Sequence, residues 1–266
     1  MSHTVIKRFV VFGNPISHSL SPQLHALFAK QFGMTIDYQK QLVALDQFKN
    51  AVDAFRATQG AGANITMPFK INAFEYADQL TSRAQLAGAV NTFIFKNDVC
   101  IGDNTDGVGL IRDLKNNHFN LHDKKILIIG AGGATRNILS NIIQEKPRNI
   151  FVMNRTIEKA KKLIHDFEKY FPLQLFSDEK HIDLIINATA IDFLSFHFNP
   201  DLSSTFCYDL NYGERHNTFL KWAQKNKAEK ISDGLAMLIE QGAESFFQWT
   251  GKMPRHECAP YRDALL

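Results

Sequence analysis

The sequence predicts an α/β protein of two domains, and three observations carry that prediction. Apolar, β-branched runs alternate with segments of helical periodicity along most of the 266 residues, the pattern of βαβ units feeding a parallel sheet. The run Lys125-Ile126-Leu127-Ile128-Ile129 breaks into Gly130-Ala131-Gly132-Gly133-Ala134 and then into a helical pattern. A strand, a tight glycine turn and a helix N-terminus in that order cradle a dinucleotide pyrophosphate. A second apolar run, residues 149–153, follows one βαβ step later and ends at Asn154-Arg155-Thr156.

Taken in order, residues 5–12 read as a buried first strand that stops at Gly13-Asn14-Pro15. Ser21 and Pro22 open a helix, with Ser21 as N-cap and Pro22 in the first turn; Leu24, Leu27 and Phe28 line one face and Gly33 ends it. Residues 36–43 give a second strand, and Phe48, Val52 and Phe55 recur at helical spacing. Residues 63–66 form a short strand that leads through Met67-Pro68 into a helix. Residues 89–95 and 99–101 read as a hairpin around Lys96-Asn97-Asp98, which leaves Gly102-Asp103-Asn104-Thr105-Asp106-Gly107 in a loop before a helix over 108–116. Further strands are expected near Ile126, Ile150, Ile185 and Phe206. A last helix pair, 235–249 and 260–265, is expected to return to the first domain. The expected division is 1–106 plus 235–266 for one domain and 107–234 for the other, with a ligand cleft between them.

Composition narrows the function. With 45% hydrophobic and 21% charged residues the chain reads as an ordinary globular protein. A net charge of +3, with no basic run interleaved with aromatics, argues against a nucleic-acid partner. Cys100, Cys207 and Cys258 are odd in number and widely spaced, which suits free thiols in a reducing compartment. None of the ten histidines has metal-ligand spacing, so no metal is expected. No apolar run suits a signal core or a membrane span. The expectation is a cytoplasmic protein, monomer or homodimer, acting on a small molecule without membrane or metal.

The nucleotide motif has a sign of charge. Gly130 allows the turn, and Gly132 and Gly133 let backbone N–H groups approach phosphate, although Thr135 occupies the last glycine position of G-x-G-x-x-G. After the second strand, Asn154 stands where an NAD-binding protein places an acid, followed by Arg155, Thr156 and Lys159. Two cations at a helix start oppose the macrodipole, and an anion between them removes the conflict. A solvated basic face is the plain alternative, but the 2′-phosphate of NADP fits the position better.

Three loops carry candidate chemistry. Ser17 and Ser19 sit two residues apart and either serve the turn or donate to both oxygens of a carboxylate. Lys70, in the first turn after the strand at 63–66, is either a surface charge or a general acid/base. Asp106 either caps the helix after it or orients the Lys70 ammonium. His18 and His25 read as structural.

Together the segments 13–22, 64–70, 88–92, 102–107, 130–134, 154–156 and 233–235 closely resemble, in order, those of the shikimate dehydrogenase family. The resemblance implies an N-terminal α/β substrate domain, a Rossmann-like NADP domain, and reversible NADPH-dependent reduction of 3-dehydroshikimate to shikimate in aromatic amino acid biosynthesis. It makes Lys70 the proton donor and acceptor with Asp106 beside it. Ser17, Ser19 and Tyr212 would hold the carboxylate, while Thr66, Asn91, Asp106 and Gln241 would read the ring hydroxyls. Gly130, Ala131, Gly132, Gly133 and Ala134 would take the pyrophosphate. Asn154, Arg155, Thr156 and Lys159 would take the adenosine 2′-phosphate, with Leu210 and Gly234 lining the nicotinamide.

The chain departs from the family pattern in three places. The glycine expected shortly after Asn187-Ala188-Thr189 is replaced by Ala190-Ile191-Asp192-Phe193-Leu194, Ala236 stands for a frequent glycine, and Lys159 for an arginine. Lysine keeps the charge and loses the bidentate fork, which weakens the NADP preference. A quinate/shikimate dehydrogenase of broader specificity and a non-catalytic NADP-binding regulatory paralogue stay open as alternatives.

Overall fold

Strand β1 (Lys7–Gly13) shows why residues 9–12 form an unbroken apolar run. Phe9 and Val11 pack with Tyr38 and Trp249 on one face, while Val10 and Phe12 pack with Val52, Phe55 and Phe69 on the other. A strand buried on both faces carries no polar alternation. The structure is a computed structural model and describes residues 6–191, 193, 201–213, 218–255 and 258–265. Residue 5 of the expected first strand lies outside them.

After β1 come α1 (Ser21–Gln31), β2 (Ile36–Leu42), α2 (Phe48–Ala57), β3 (Gly62–Ile65), α3 (Lys70–Tyr76), β4 (Gln79–Leu80), α4 (Ser82–Ala87), β5 (Thr92–Lys96), β6 (Val99–Asp103) and α5 (Asp106–Asn116). There follow β7 (Lys125–Ile129), α6 (Gly133–Gln144), β8 (Asn149–Met153), α7 (Ile157–Phe167), β9 (Gln174–Leu175), β10 (Leu184–Asn187), β11 (Phe206–Asp209), α8 (Thr218–Lys225), β12 (Lys230–Ser232), α9 (Leu235–Thr250) and α10 (Cys258–Leu265). The chain divides into two compact units, Met1–Leu110 with Ile239–Leu266, and Ile111–Leu238. No helix among the described residues is long and apolar enough to cross a membrane.

The first sheet has the order β2-β1-β3-β5-β6-β4. β1 is parallel to β2 and β3, whereas β5 runs antiparallel to β3 and to β6. The hairpin between β5 and β6 turns on Asn97 and Asp98, both at positive φ, as a two-residue connection requires. The antiparallel pair has a consequence for chemistry. With Asn64 opposite Thr92 and Thr92 opposite Asp103, the C-terminal ends of β3 and β6 and the start of β5 share one sheet edge.

Returning to this unit, α9 lays Trp249 on Phe9 (ring centroids 4.7 Å apart), and its indole N–H donates to Phe93 O at 2.9 Å. Burying one such aromatic stabilises a core by about 1.5–3 kcal/mol. The second sheet is parallel throughout, with order β12-β11-β10-β7-β8-β9. Counted from its own first strand β7, this is the doubly wound Rossmann order, whose direction reverses between β7 and β10.

Two local expectations need correction. Ser21 is the first residue of α1, not its cap; Leu20 holds the cap position with an αR backbone. The capping oxygen comes from Ser19, whose Oγ accepts from Ser21 N at 3.3 Å. Arg155 precedes the cap residue Thr156, so only Lys159 lies in the first turn of α7, beside Glu158. The clash with the helix dipole is therefore smaller than the sequence suggests. The strands β4, β9 and β12 have no counterpart in the sequence expectation; at two or three residues they are too short to leave a periodic signal.

Candidate active site

In the first unit the shared sheet edge gathers the candidate chemistry. Lys70 opens α3, the next element after β3, and Asp106 opens α5, the next element after β6. Lys70 Nζ lies 2.5 Å from Asp106 Oδ2. The Lys70 side chain retains 26% exposure against 12% for Asp106, so the ammonium is held from below and remains reachable from solvent. Asn91, just before β5, turns its amide nitrogen to Asp106 Oδ1 at 2.7 Å, Thr105 Oγ1 at 2.9 Å and Gln241 Oε1 at 3.2 Å. Its oxygen accepts from Thr105 N at 2.9 Å and Thr92 Oγ1 at 2.8 Å, which fixes the amide orientation. Lys70, Asn91, Asp106 and Gln241 therefore form one connected cluster.

A second layer, which has no counterpart in the sequence expectation, holds this cluster. Ser245 Oγ, one turn beyond Gln241 on α9, meets Thr92 Oγ1 at 2.8 Å and accepts from Asn64 Nδ2 at 3.1 Å. Tyr38 donates to Asn64 Oδ1 at 2.7 Å. Beneath the loop to Asp106, Arg83 forms a fork with the fully buried Asp103 and also reaches Glu244 Oε1 at 3.0 Å. Asn64, Thr92 and Asp103 stand inside the quoted motifs, but Arg83, Glu244 and Ser245 carry no local signal.

The other first-unit candidates sit at the ends of β1 and β3. Thr66 is half-buried where β3 ends, its backbone N–H bonded to Phe12 O at 3.0 Å. Ser17 is exposed, and its carbonyl accepts from Lys40 Nζ at 2.7 Å. Ser19 combines its capping contact with a 3.2 Å bond to Ser21 Oγ. His25 is buried against Tyr38, with ring centroids 4.7 Å apart. Burial lowers its pKa to about 3, a bond with Asn64 offsetting part of the shift. It is a neutral packing ring at physiological pH, while His18 is exposed.

In the second unit, a cleft of ≈ 220 Å³ opens at the strand-order reversal. It is lined by Gly130, Ala131 and Gly132 after β7, by Asn154, Arg155, Thr156 and Lys159 after β8, and by Ala188 and Thr189 after β10. Gly130 adopts φ +115°, where a side chain would be strained, and a Cβ there would lie 2.8 Å from Thr189 Cγ2. Thr135, at the last glycine position, is buried and donates from Oγ1 to Gly130 O at 2.8 Å, so it closes the turn that glycine usually allows. Asn154 accepts from Ala131 N at 3.1 Å and thereby ties the turn to β8. A Cβ on Gly132 or Gly133 would meet nothing within 4 Å. The first N–H groups of α6 lack intrahelical acceptors. Open space, helix-start donors and two cations fit a dinucleotide carrying an extra phosphate.

Leu210 and Gly234 meet in the same unit: a Cβ on Gly234 would collide with Leu210 O. Close backbone approach, not a turn, demands this glycine. Tyr212 is partly buried after β11, and burial raises its phenol pKa. Of the departing segment after Thr189, residues 192 and 194 lie outside the described residues. Among the described residues, no group of acidic, histidine or cysteine side chains could hold a metal.

Similarity to known proteins follows the same division. Residues 11–93 match the family model described as the shikimate dehydrogenase substrate binding domain. Residues 113–195 match shikimate / quinate 5-dehydrogenase, and 234–256 the shikimate 5′-dehydrogenase C-terminal domain. The shikimate dehydrogenase (NADP(+)) of Ruthia magnifica subsp. Calyptogena magnifica is 46% identical over 94% of this chain and 96% of its own.

The chain belongs to the shikimate dehydrogenase family.

The Colwellia psychrerythraea enzyme of the same name is 44% identical over 100% of this chain and 98% of its own. Among solved structures, the shikimate 5-dehydrogenase of Thermus thermophilus in complex with NADP(H) and shikimate superposes with a TM-score of 0.87 at 29% identity, covering 98% of both chains. The two-domain α/β expectation, with a Rossmann-like second sheet, thus holds at the level of the family.

Proposed function

We propose that this protein reduces 3-dehydroshikimate to shikimate with NADPH, reversibly, as a step of aromatic amino acid biosynthesis in the cytoplasm. The observation that carries the reading is the Lys70–Asp106 pair at 2.5 Å, joined to Asn91 and Gln241 in a family member. Bound NADPH supplies the hydride. Asp106, itself held by Asn91, holds the Lys70 ammonium in one place, and Lys70 donates the proton that the former carbonyl oxygen takes up. As negative charge grows on that oxygen, the fixed ammonium stabilises it without reorganising. In the reverse direction the neutral Lys70 amine accepts the hydroxyl proton.

Thr66, Asn91, Asp106 and Gln241 read the ring hydroxyls, and Ser17, Ser19 and Tyr212 hold the carboxylate. Buried donors left unpaired penalise an analogue that lacks a hydroxyl. Lys70, Asn91, Asp106 and Gln241 form a connected set suited to a polyhydroxylated ring. Gly130 to Ala134 take the pyrophosphate, Leu210 and Gly234 line the nicotinamide, and Asn154, Arg155, Thr156 and Lys159 take the 2′-phosphate. The assembly we expect is a monomer or homodimer.

The direct test follows NADPH absorbance: its loss with 3-dehydroshikimate, and its formation from NADP+ with shikimate or quinate as separate substrates. Turnover is expected with 3-dehydroshikimate and NADPH. A folded protein that binds NADPH and turns over none of them would sink the enzyme reading. The double variant Arg155→Ala/Lys159→Ala should raise KM for NADPH about 10–100-fold, the loss of two charged hydrogen-bond donors. Its rate with NADH should stay unchanged; an equal loss with both nucleotides would overturn the 2′-phosphate assignment.

A further inference from the structure

At the C-terminal edge of the second sheet lies a buried carboxylate that the proposed chemistry does not use. Asp209 ends β11 with no solvent exposure. Its Oδ1 accepts from Asn187 Nδ2 at 3.0 Å, from Asn211 N at 3.0 Å and from Asn211 Nδ2 at 2.9 Å. Its Oδ2 has no hydrogen-bond partner among the described residues. All three donors are neutral amides.

The two asparagines lead to one place. Asn211 Nδ2 also donates to Thr189 O at 2.7 Å, and Asn187 Oδ1 accepts from Thr189 N at 3.0 Å and Thr189 Oγ1 at 2.7 Å. Thr189 and Ala188 form the wall against which the Gly130 turn packs: Thr189 Cγ2 and Ala188 O lie 2.8 and 3.0 Å from where a Gly130 Cβ would be. On the other side, Asn211 O accepts from Gly234 N at 2.9 Å, which places Gly234 over Leu210. One carboxylate thus joins three segments, those after β7, β10 and β11.

We infer that Asp209 is a positioning residue for the nucleotide cleft, fixing through Asn187 and Asn211 the Ala188 and Thr189 wall that sets the Gly130 turn. The inference rests on the reading of this cleft as the NADPH site. Fold stability alone does not account for the residue. Burial pushes its carboxyl up to about 6, only partly offset by the bonds from Asn211 and Asn187, and Asp233 adds to the rise. An acid whose folded pKa lies above its unfolded value loses stability as pH rises between the two values. At neutral pH the ionised group therefore weighs against the folded state, while three convergent charge-assisted bonds hold the cleft wall more firmly than neutral ones.

The test is NADPH binding by fluorescence titration at pH 8, paired with thermal melting, on wild type and Asp209→Asn. The variant keeps the shape and one acceptor but loses the charge. Its Kd for NADPH is expected to rise about tenfold, while Tm falls by no more than about 3 °C, because relief of the buried charge opposes the cost of an unpaired amide. A Kd within twofold of wild type overturns the inference, as does weaker binding that appears only with a much lower Tm. Thr189→Val supplies a second arm by removing only the Oγ1 bond to Asn187. It should weaken binding by a smaller factor, and the double variant should lose less than the product of the two, since both act in one network. Independent effects overturn the inference. Wild type that binds NADPH without reducing 3-dehydroshikimate defeats the proposed reaction and leaves Asp209 to be judged by Kd; wild type that binds no NADPH defeats both.

Discussion

Lys70→Ala is expected to lower kcat for 3-dehydroshikimate reduction by about 10²–10⁴-fold, the range that a positioned general acid supplies. The geometry makes the effect specific. Lys70 stands at the first position of α3, 2.5 Å from an aspartate that is itself fixed by Asn91. Removing it deletes both the proton and the charge that faces the growing alkoxide. Stability should change little, since the ammonium is partly exposed and Asp106 keeps its bond from Asn91. NADPH affinity should also stay within about twofold, because the groups assigned to the nucleotide belong to the other compact unit. Initial rates, a melting curve and an NADPH titration on one preparation check all three. A kcat within about threefold of wild type would remove Lys70 from the chemistry. Asp106→Asn separates the two roles within the pair. It keeps an acceptor for Asn91 and leaves Lys70 without its counter-charge, so a smaller loss than in Lys70→Ala is expected.

Much of this is legible in the chain because the signals are local. A strand buried on both faces reads as an apolar run, as residues 9–12 and 126–129 do, and a glycine turn between a strand and a helix reads as a phosphate cradle. Lys70 and Asp106 can be named because each stands at the start of a helix that follows a strand. That they meet does not follow from spacing. It depends on the antiparallel β5–β6 hairpin, which returns the end of β6 to the edge where β3 ends. Ser19 reads as a turn or ligand hydroxyl; that its oxygen also serves the first N–H of α1 depends on where the helix begins. Thr135 reads as a departure from the glycine motif, yet its hydroxyl closes the turn onto Gly130. The supports of the site, Arg83, Glu244, Ser245 and Asp209, are silent for a different reason. Partners such as Asp103 for Arg83, Asn64 and Thr92 for Ser245, and Asn187 for Asp209 are distant in sequence, and a buried polar group shows no pattern until such partners are known.

Arg83 carries the largest stability effect expected in the molecule. Its guanidinium holds Asp103, fully buried, and Glu244, 7% exposed as a side chain, while its own side chain is 21% exposed. Asp103 also accepts from Thr81 Oγ1 at 2.6 Å and from Asn104 N at 2.8 Å. Arg83→Met preserves most of the apolar stem and strips the counter-charge from two carboxylates. Breaking a buried pair in this way costs about 3–5 kcal/mol, because the residual charge stays desolvated. Set against a total stability of roughly 5–15 kcal/mol, that is a large share. Arg83→Lys should recover part of the loss, since lysine restores charge without the fork to Asp103. Urea melts of the three proteins at pH 8 decide the matter: equal midpoints for wild type and Arg83→Met would show that the triad contributes nothing net. Because Asp103 begins the segment that ends at Asp106, and Glu244 neighbours Ser245, kcat should also fall in the folded fraction of Arg83→Met, though by far less than in Lys70→Ala. Through Asp103 and Glu244, the arginine shapes the floor on which the Lys70–Asp106 pair stands.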